Sequence, residues 1–298
     1  MPEETYMHTP SSAMMQAGEV FELAKLFTGM GVTKIRLTGG EPLVRKDAAE
    51  ILLSLSQLPV SLALTSNGVR IKEYLPVLQE AGLRSINISL DSLQAGKFHR
   101  LTRRDVFDKV WNNIHLLIDQ GFHVKVNAVV MKGINDDELA DFVGWTKHTP
   151  VHVRFIEFMP FSGNRWSSNQ VFTWQQVLSL IETQYPIQRL NDAPNDTAKK
   201  YQVPGHAGTF AIISTMSAPF CSTCNRMRLT ADGKMKNCLF STGETDLLTA
   251  LRKGEDVRQL IQNCISTKAR ERGGQFDQGF EHLQPAAMQN RSMIAIGG

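Results

Sequence analysis

Cys221-Ser-Thr-Cys224, followed after thirteen residues by Cys238, is the sharpest chemical pattern in the chain. Two cysteines three apart can chelate one metal centre from a single turn. A third thiolate from a nearby hairpin closes the site. The spacing alone leaves two kinds of centre open. Structural zinc wants a fourth protein ligand; Cys264 could supply it, but it lies in a helical pattern with no partner at chelating spacing. An iron–sulfur cluster on three cysteines keeps one iron free for another ligand. The bland alternative is a structural zinc knuckle. All four cysteines fall in the last third of the chain, unlike a disulfide scaffold in a chain of this size.

Arg226 and Arg228 follow Cys224 directly. On a strand, residues two apart share a face, so both guanidiniums could flank the metal site and clamp an anion bidentately. A solvated basic strand is the competing reading. Lys34, Arg36 and Thr38 alternate along an apolar stretch, and Arg154 sits between Val153 and Phe155. Cations turned into the interior of a sheet are costly unless they meet an anion; outward snorkelling is the alternative. Gly39-Gly40-Glu41-Pro42 lets backbone approach a ligand closely and places one carboxylate beside it.

The elements that position these residues follow from periodicity. Val20, Leu23, Phe27 and Met30 share a helical face ended by Gly31, and a strand, Lys34 to Leu37, follows. The unit recurs up to Gly82 with the strand Ser85 to Leu90. It recurs again through Val106, Val110, Ile114 and Leu117 to Gly121, with the strand Val124 to Val130. Ser61 to Leu64 and Val151 to Phe158 complete five strands. The alternation predicts a parallel α/β sheet, with ligands at the C-terminal strand ends. Thr65-Ser66-Asn67-Gly68, Ser89-Leu90-Asp91-Ser92, Lys132-Gly133 and Phe158-Met159-Pro160 stand at such ends. A helix over 173–184 closes this part, and residues 185–298 read as a separate lobe.

The chain has 298 residues, 42% hydrophobic and 20% charged, enough for an ordinary core. A net charge of +3 is too mild to argue for nucleic acid. No run of 18 apolar residues suggests a membrane span, and residues 1–17 resemble neither a signal nor a transit peptide.

Three segments together carry a resemblance: Lys34-Ile-Arg-Leu-Thr-Gly-Gly-Glu-Pro42, Arg154-Phe-Ile-Glu-Phe-Met-Pro160 and Phe220-Cys-Ser-Thr-Cys-Asn-Arg-Met-Arg-Leu229. With Thr230-Ala-Asp-Gly233, Cys238-Leu-Phe240 and the final Gly297-Gly298, they resemble the molybdenum cofactor biosynthesis protein A family over essentially the whole chain. The resemblance implies a partial (β/α)6 TIM-like barrel, here residues 1–184, and a small α+β lobe, residues 185–298, carrying an iron–sulfur site. It implies a radical S-adenosylmethionine enzyme that converts GTP to 3′,8-cyclo-7,8-dihydro-GTP. One 4Fe-4S cluster binds and cleaves S-adenosylmethionine, and a second binds the guanine. By motif, Cys221, Cys224 and Cys238 correspond to ligands of the second cluster. Lys34, Arg36, Thr65, Lys132, Arg154, Arg226 and Arg228 correspond to the GTP site. Gly40, Glu41, Ser89 and Met159 correspond to the S-adenosylmethionine site, and Gly297-Gly298 to a tail reaching the active-site region. The implied partners are GTP, S-adenosylmethionine, an electron donor and the downstream cyclic pyranopterin monophosphate synthase. A homodimer stays open. Relatives are cytoplasmic in bacteria and mitochondrial in animals and plants.

The family's Cys-x3-Cys-x2-Cys loop, whose last cysteine precedes Met-Pro, has no counterpart: the chain begins Met1-Pro2-Glu3-Glu4. The expectation is a chain cut just after that loop, without the first barrel strand and an upstream arginine. It would carry an unpaired edge at the strand Lys34 to Leu37 and be inactive by itself in cleaving S-adenosylmethionine. The alternatives are a non-catalytic iron–sulfur module that holds GTP and a structural zinc protein.

Overall fold

Strands and helices alternate from the first long helix onward in the structure, a computed structural model describing residues 9–276, 279–283 and 290–296. In chain order the first part contains α1 (Ala17–Gly29), β1 (Lys34–Leu37), α2 (Ala48–Leu55), β2 (Ser61–Ser66), α3 (Ile71–Glu80), β3 (Ser85–Ser89), α4 (Ala95–Thr102), α5 (Phe107–Asp119), β4 (His123–Val130), α6 (Leu139–Trp145), β5 (His152–Glu157) and α7 (Trp174–Glu182). Then come β6 (Gln188–Arg189), β7 (Lys199–Gln202), β8 (Thr209–Ile213), β9 (Arg228–Leu229), β10 (Lys234–Lys236), β11 (Thr245–Asp246), α8 (Leu247–Arg252), α9 (Arg258–Ser266) and the short α10 (Met293–Ile296).

The helix–glycine–strand rhythm has one backbone cause. After α1, α3 and α5 the N–H following the glycine reaches back five residues, from Val32 to Phe27, Leu83 to Leu78 and Phe122 to Leu117, each at 3.0 Å. This closure ends a helix through a residue in the left-handed region, where glycine has no Cβ to clash. Each helix therefore stops in one orientation and returns the chain to the sheet.

Eight strands form one mixed sheet in the order β1-β2-β3-β4-β5-β8-β7-β6. Neighbours from β1 through β8 run parallel, and the β8–β7 and β7–β6 pairs are antiparallel. The sheet runs across residue 184, where the sequence suggested a boundary, because β8 pairs with β5. Among the described residues β1 has one strand neighbour, β2.

The two faces of the sheet differ in chemistry. One carries Leu64, Ile86, Ile88, Val124, Val126, Val153, Phe155 and Phe210, all at most 1% exposed, packed with Leu78, Ile114, Leu117, Phe142 and Ile181 of the covering helices. The other, at alternate positions, carries Lys34, Arg36, Thr65, Asn87, Ser89, His123, Lys125, Asn127, His152 and Arg154. Asn87 lies opposite Lys125, Lys125 opposite His152, and Asn127 opposite Arg154. Lys34 and Arg154 stand four strands apart yet bear on each other's charge. A flat sheet would separate those strands by about 19 Å, so the sheet curls with its polar face inward.

A second, three-stranded sheet, β11-β10-β9, packs with α8, α9 and α1 around Leu23, Met235, Leu247, Leu248 and Ile261. A 2.6 Å ion pair between Arg252 and Glu19 reinforces the contact of α1 with α8. Cys264 is buried in this core.

Glu157 connects the large sheet to the cysteine segment. It is 1% exposed and accepts N–H groups from Trp174 at 2.9 Å, Met216 at 2.7 Å and Ser217 at 2.9 Å, together with the Ser217 hydroxyl. One buried carboxylate thus fixes the start of α7 and the loop running toward Cys221. Glu157→Gln replaces an acceptor oxygen by a donor facing these donors. It is expected to cost about 2 kcal/mol or more and to lower the urea midpoint; an unchanged midpoint contradicts the assignment.

Candidate functional site

Cys221–Thr223 form one 3-10 turn, closed by the Cys224 N–H on the Cys221 carbonyl at 3.1 Å. Cys238 follows β10 and, like Cys221 and Cys224, is half-buried. The Arg272 N–H points at the Cys221 sulfur at 3.4 Å. The Lys268 ammonium donates to the Cys224 and Arg226 carbonyls at 2.9 and 3.1 Å and lies 3.6 Å from the Cys224 sulfur. Burial pushes the Cys221 thiol up against the Arg272 N–H, and the neighbouring Cys238 and Cys224 push the same way. Burial also opposes ionisation of Cys224, but the Arg226 N–H and guanidinium, with Lys268, overrule it and leave that thiol below its ordinary value. The sulfurs thus share one electrostatic neighbourhood. Among the described residues, no three His, Cys, Asp or Glu side chains are gathered as a single metal ion would require.

The Arg272-Gly273-Gly274 turn, not singled out from sequence, braces this segment. Gly273 has φ 68°, and a Cβ there would stand 2.5 Å from the Phe240 carbonyl carbon. Only glycine lets the turn press so closely on the strand of chain after Cys238.

The expected cations converge only in part. Arg36 donates to the Thr65 hydroxyl at 3.4 Å, and Arg154 to the Asn127 side chain at 2.8 Å. Burial lowers Arg36, and Arg226 lowers it further. Burial, then Arg36 and Arg226, push Arg154 down to about 10. Burial and Arg226 likewise push Arg228 down to about 10, while Cys238 and Cys224 pull the other way. The guanidiniums of two strands and of the cysteine segment therefore face a common space. Arg226 is not on the strand expected from the sequence: β9 begins at Arg228, and the exposed Arg226 guanidinium lies 4.8 Å over the Phe220 ring and 3.8 Å from the Cys224 sulfur. Lys132 stands apart, exposed on the turn after β4.

Sequence reasoning missed Lys125. Burial pushes its ammonium down to about 8, helped by Arg154, Lys34, Arg36 and Lys200. The signal was the alternation Val124-Lys125-Val126-Asn127, the same pattern that singled out Arg154. Beside it, burial and then Arg154 and Lys125 hold His152 at about 3, so this ring is neutral; its Nδ1 meets the Thr209 hydroxyl at 2.6 Å.

Gly40, Glu41 and Met159 follow C-terminal strand ends, and Ser89 is the last residue of β3. Glu41 is a strut: it accepts the Asn67 N–H at 2.6 Å, the Leu43 N–H at 3.1 Å and the Ser66 hydroxyl at 3.0 Å. Burial raises its carboxyl despite these donors. Ser89 is exposed, and Met159 packs at the edge of the Phe158, Phe161 and Phe240 cluster. The Gly40 N–H donates to the Ile294 carbonyl at 2.8 Å, and a Cβ at Gly40 would stand 3.0 Å from the Ile294 side chain. Arg291 anchors this tail on Asp232 at 2.9 Å and Glu244 at 2.5 Å. Gly297-Gly298 and Met1-Pro2 lie outside the described residues.

Residues 6–146 match the Radical SAM superfamily and residues 151–274 match Molybdenum Cofactor Synthesis C. The chain is 44% identical to "GTP 3',8-cyclase, mitochondrial" of Arabidopsis thaliana, over 100% of this chain and 76% of that protein. It is 37% identical to "GTP 3',8-cyclase" of Thermodesulfovibrio yellowstonii, over 100% of this chain and 92% of that protein. "Molybdenum cofactor biosynthesis protein 1" of Mus musculus is 43% identical over 100% of this chain, which spans 47% of that longer protein. Among solved structures, Streptococcus suis SuiB overlays with a TM-score of 0.48 and 16% identity, over 66% of this chain and 43% of that one, too partial a likeness to carry an argument. Among the described residues no helix is long and apolar enough to cross a membrane.

Lys125 supplies a test of the polar face. Its folded value, about 8, lies below its unfolded one, so between them the unfolded chain holds more protons. The penalty for the buried ammonium is full below pH 8 and fades as pH rises toward about 10.4. Lys125→Met is expected to raise the unfolding temperature of the nucleotide-free protein at pH 7, with a gain that shrinks above pH 8. Destabilisation at pH 7 contradicts this.

Proposed function

The chain belongs to the GTP 3′,8-cyclase family of molybdenum cofactor biosynthesis, within the radical S-adenosylmethionine superfamily, and on that premise we propose that its curled polar face and three thiols are the GTP side of such a site. The reaction class is conversion of GTP to 3′,8-cyclo-7,8-dihydro-GTP, in which the ribose 3′ hydrogen is removed and C3′ joins C8 of the guanine. The six parallel strands are read as a partial (β/α)6 barrel and the segment around β9–β11 as an iron–sulfur lobe.

One observation carries the reading: burial and then the Arg226 charge lower Arg36 and Arg228, and burial, Arg36 and Arg226 lower Arg154, beside the thiols of Cys224 and Cys238. Among the described residues neither Arg36 nor Arg154 has a carboxylate partner. Guanidinium forks suit phosphate oxygens and fix their orientation. Held there, a nucleotide presents its ribose toward the strand ends and its base toward the cysteine segment.

The donor set fits an iron–sulfur centre. Cys224 is held toward its thiolate, and the Arg272 N–H is aimed at the Cys221 sulfur, the kind of hydrogen bond that tunes a cluster. A structural zinc ion wants a fourth protein ligand, whereas the Cys264 thiol is buried in the core of the small sheet and lies on the Met235 carbonyl. Bound on Cys221, Cys224 and Cys238, a 4Fe-4S cluster supplies an iron with a free position as Lewis-acidic anchor for the guanine.

For the cluster that cleaves S-adenosylmethionine, these 298 residues do not fit: three of the four cysteines serve the site above, and Cys264 is buried in another core. Gly40, Glu41, Ser89 and Met159 are proposed for S-adenosylmethionine itself. For the 298-residue polypeptide alone the reading is GTP binding without turnover. Its compartment is proposed as cytoplasmic for a bacterial chain and mitochondrial for a eukaryotic one.

Anaerobic reconstitution tests the centre: about four irons with matching sulfide per chain are expected, and zinc without sulfide overturns it. Replacing Arg226 and Arg228 together by alanine is expected to weaken GTP binding by roughly tenfold or more in equilibrium dialysis; unchanged affinity contradicts the site. The reconstituted polypeptide by itself is expected to release no 5′-deoxyadenosine, and its release would overturn that reading of the cysteines.

A further inference from the structure

We propose that Lys268 is a positioning residue of the iron–sulfur site: its ammonium ties the turn carrying Cys221 and Cys224 to the end of α9 and, lying against the Cys224 sulfur, sets the reduction potential of a cluster bound there. The inference rests on the iron–sulfur reading and deepens it.

Placement is the first argument. The three cysteines arrive on two segments of chain: Cys221 and Cys224 on one 3-10 turn, Cys238 after β10. The β9–β10 ladder between them pairs Leu229 with Met235 and Arg228 with Lys236, and stops short of both segments. Register comes instead from the end of α9 and the chain after it. The Asn237 amide, one residue before Cys238, donates to the Cys264 carbonyl at 2.9 Å. Lys268 donates to the Cys224 and Arg226 carbonyls at 2.9 and 3.1 Å, and the Arg272 N–H points at the Cys221 sulfur at 3.4 Å. Each cysteine, or its neighbour in the chain, is thus held by the stretch from Cys264 to Arg272. Lys268 is the side chain in that stretch that reaches both a ligand's backbone and its sulfur.

Charge is the second argument. A lysine just past a helix ordinarily turns back to the helix's own last carbonyls. Lys268 follows α9, and its backbone N–H is fixed on the Ile265 carbonyl at 3.1 Å. Its ammonium reaches away from the helix, to the cysteine turn, and comes to rest 3.6 Å from the Cys224 sulfur. Among the described residues no carboxylate pairs with it. Arg226 lies 3.8 Å from the same sulfur but is exposed, where water and salt screen it; Lys268 is half-buried and held by two carbonyls. A cluster bound here takes one electron from an added reductant, which gives it one more negative charge with no bond made or broken. A cation fixed against one of its thiolates favours that reduced form, since net charge and contacts at the sulfurs set such potentials.

The test is an anaerobic redox titration of the iron-reconstituted chain with dithionite, followed by electron paramagnetic resonance, with no nucleotide present. It compares wild type with Lys268→Gln, Lys268→Arg, Lys268→Met and Lys253→Gln, the last an exposed lysine following α8. Lys268→Gln keeps a donor for the carbonyls and loses the charge. It is expected to hold wild-type iron and sulfide and to shift the one-electron equilibrium toward the oxidised cluster by roughly tenfold, a midpoint lower by about 59 mV. Lys268→Arg restores the wild-type midpoint, and Lys253→Gln leaves it unmoved. Lys268→Met loses charge and donors together and is expected to give up iron to a chelator several-fold faster than wild type. An unchanged midpoint in Lys268→Gln, or a midpoint in Lys268→Arg as low as that of Lys268→Met, overturns the role of Lys268 and leaves the iron–sulfur reading standing. Wild-type protein that takes up zinc but no iron and sulfide overturns both.

Discussion

Like charge held on one face of a curled sheet is the constraint around which the molecule is organised. Two unit charges about 7 Å apart in a medium of effective dielectric about 20 repel by roughly 2 kcal/mol. After burial, which is the larger cause, Arg36 and Arg154 lower Lys34 and Lys125 in this way, and Arg36 lowers Arg154. The opposite face provides the compensation. Its continuous apolar surface, from Leu64 through Val126 and Phe155 to Phe210, is sealed by the helices α2 to α7 and can support the cations in their unfavourable arrangement. Stability on one face and recognition on the other are the two halves of the same strand alternation.

The thiols depend on that sheet for their placement. Glu157, at the end of β5, gathers the first turn of α7 and the loop at Met216–Ser217, and so decides where the cysteine segment departs from the sheet. The tail returns the connection. Arg291 is tied to Asp232 and Glu244 of the small lobe, and three residues later the Ile294 carbonyl holds the Gly40 N–H at a strand end of the large sheet. A Cβ at Gly40 would crowd the Ile294 side chain at 3.0 Å in that approach. A carboxylate and a tail thus join the segment that carries sulfur to the sheet that carries positive charge.

Most of the sheet was legible because each strand announces itself by apolar residues on the covered face, and β1, β3 and β4 are each preceded by a helix that a glycine ends. Lys34 to Leu37 is found as expected, and Ser61, Ser85, Val124 and Val151 fall within one residue of their strand starts. The continuation of the sheet was not legible, because Gln188 to Ile213 contains short strands and the parallel partner of β8, β5, lies more than about fifty residues earlier. The cysteine triad and its arginines could be read from spacing. Strand geometry put Arg226 in line with Arg228, but the turn that carries Cys221 and Cys224 leaves Arg226 outside β9, over Phe220. Glu157 and Arg272 were passed over because each owes its role to groups distant in the chain, whereas Lys125 carried the same alternation as Arg154.

Scanning calorimetry of the iron-reconstituted protein at low ionic strength, with and without GTP, bears most directly on the claim that the crowded cations are built around a polyphosphate. A ligand that neutralises them stabilises the folded state by mass action, and salt screens both the repulsion and its relief. The account predicts a marked rise in unfolding temperature with GTP that diminishes as sodium chloride is raised. An unfolding temperature indifferent to GTP at low salt would mean that these charges answer to something else.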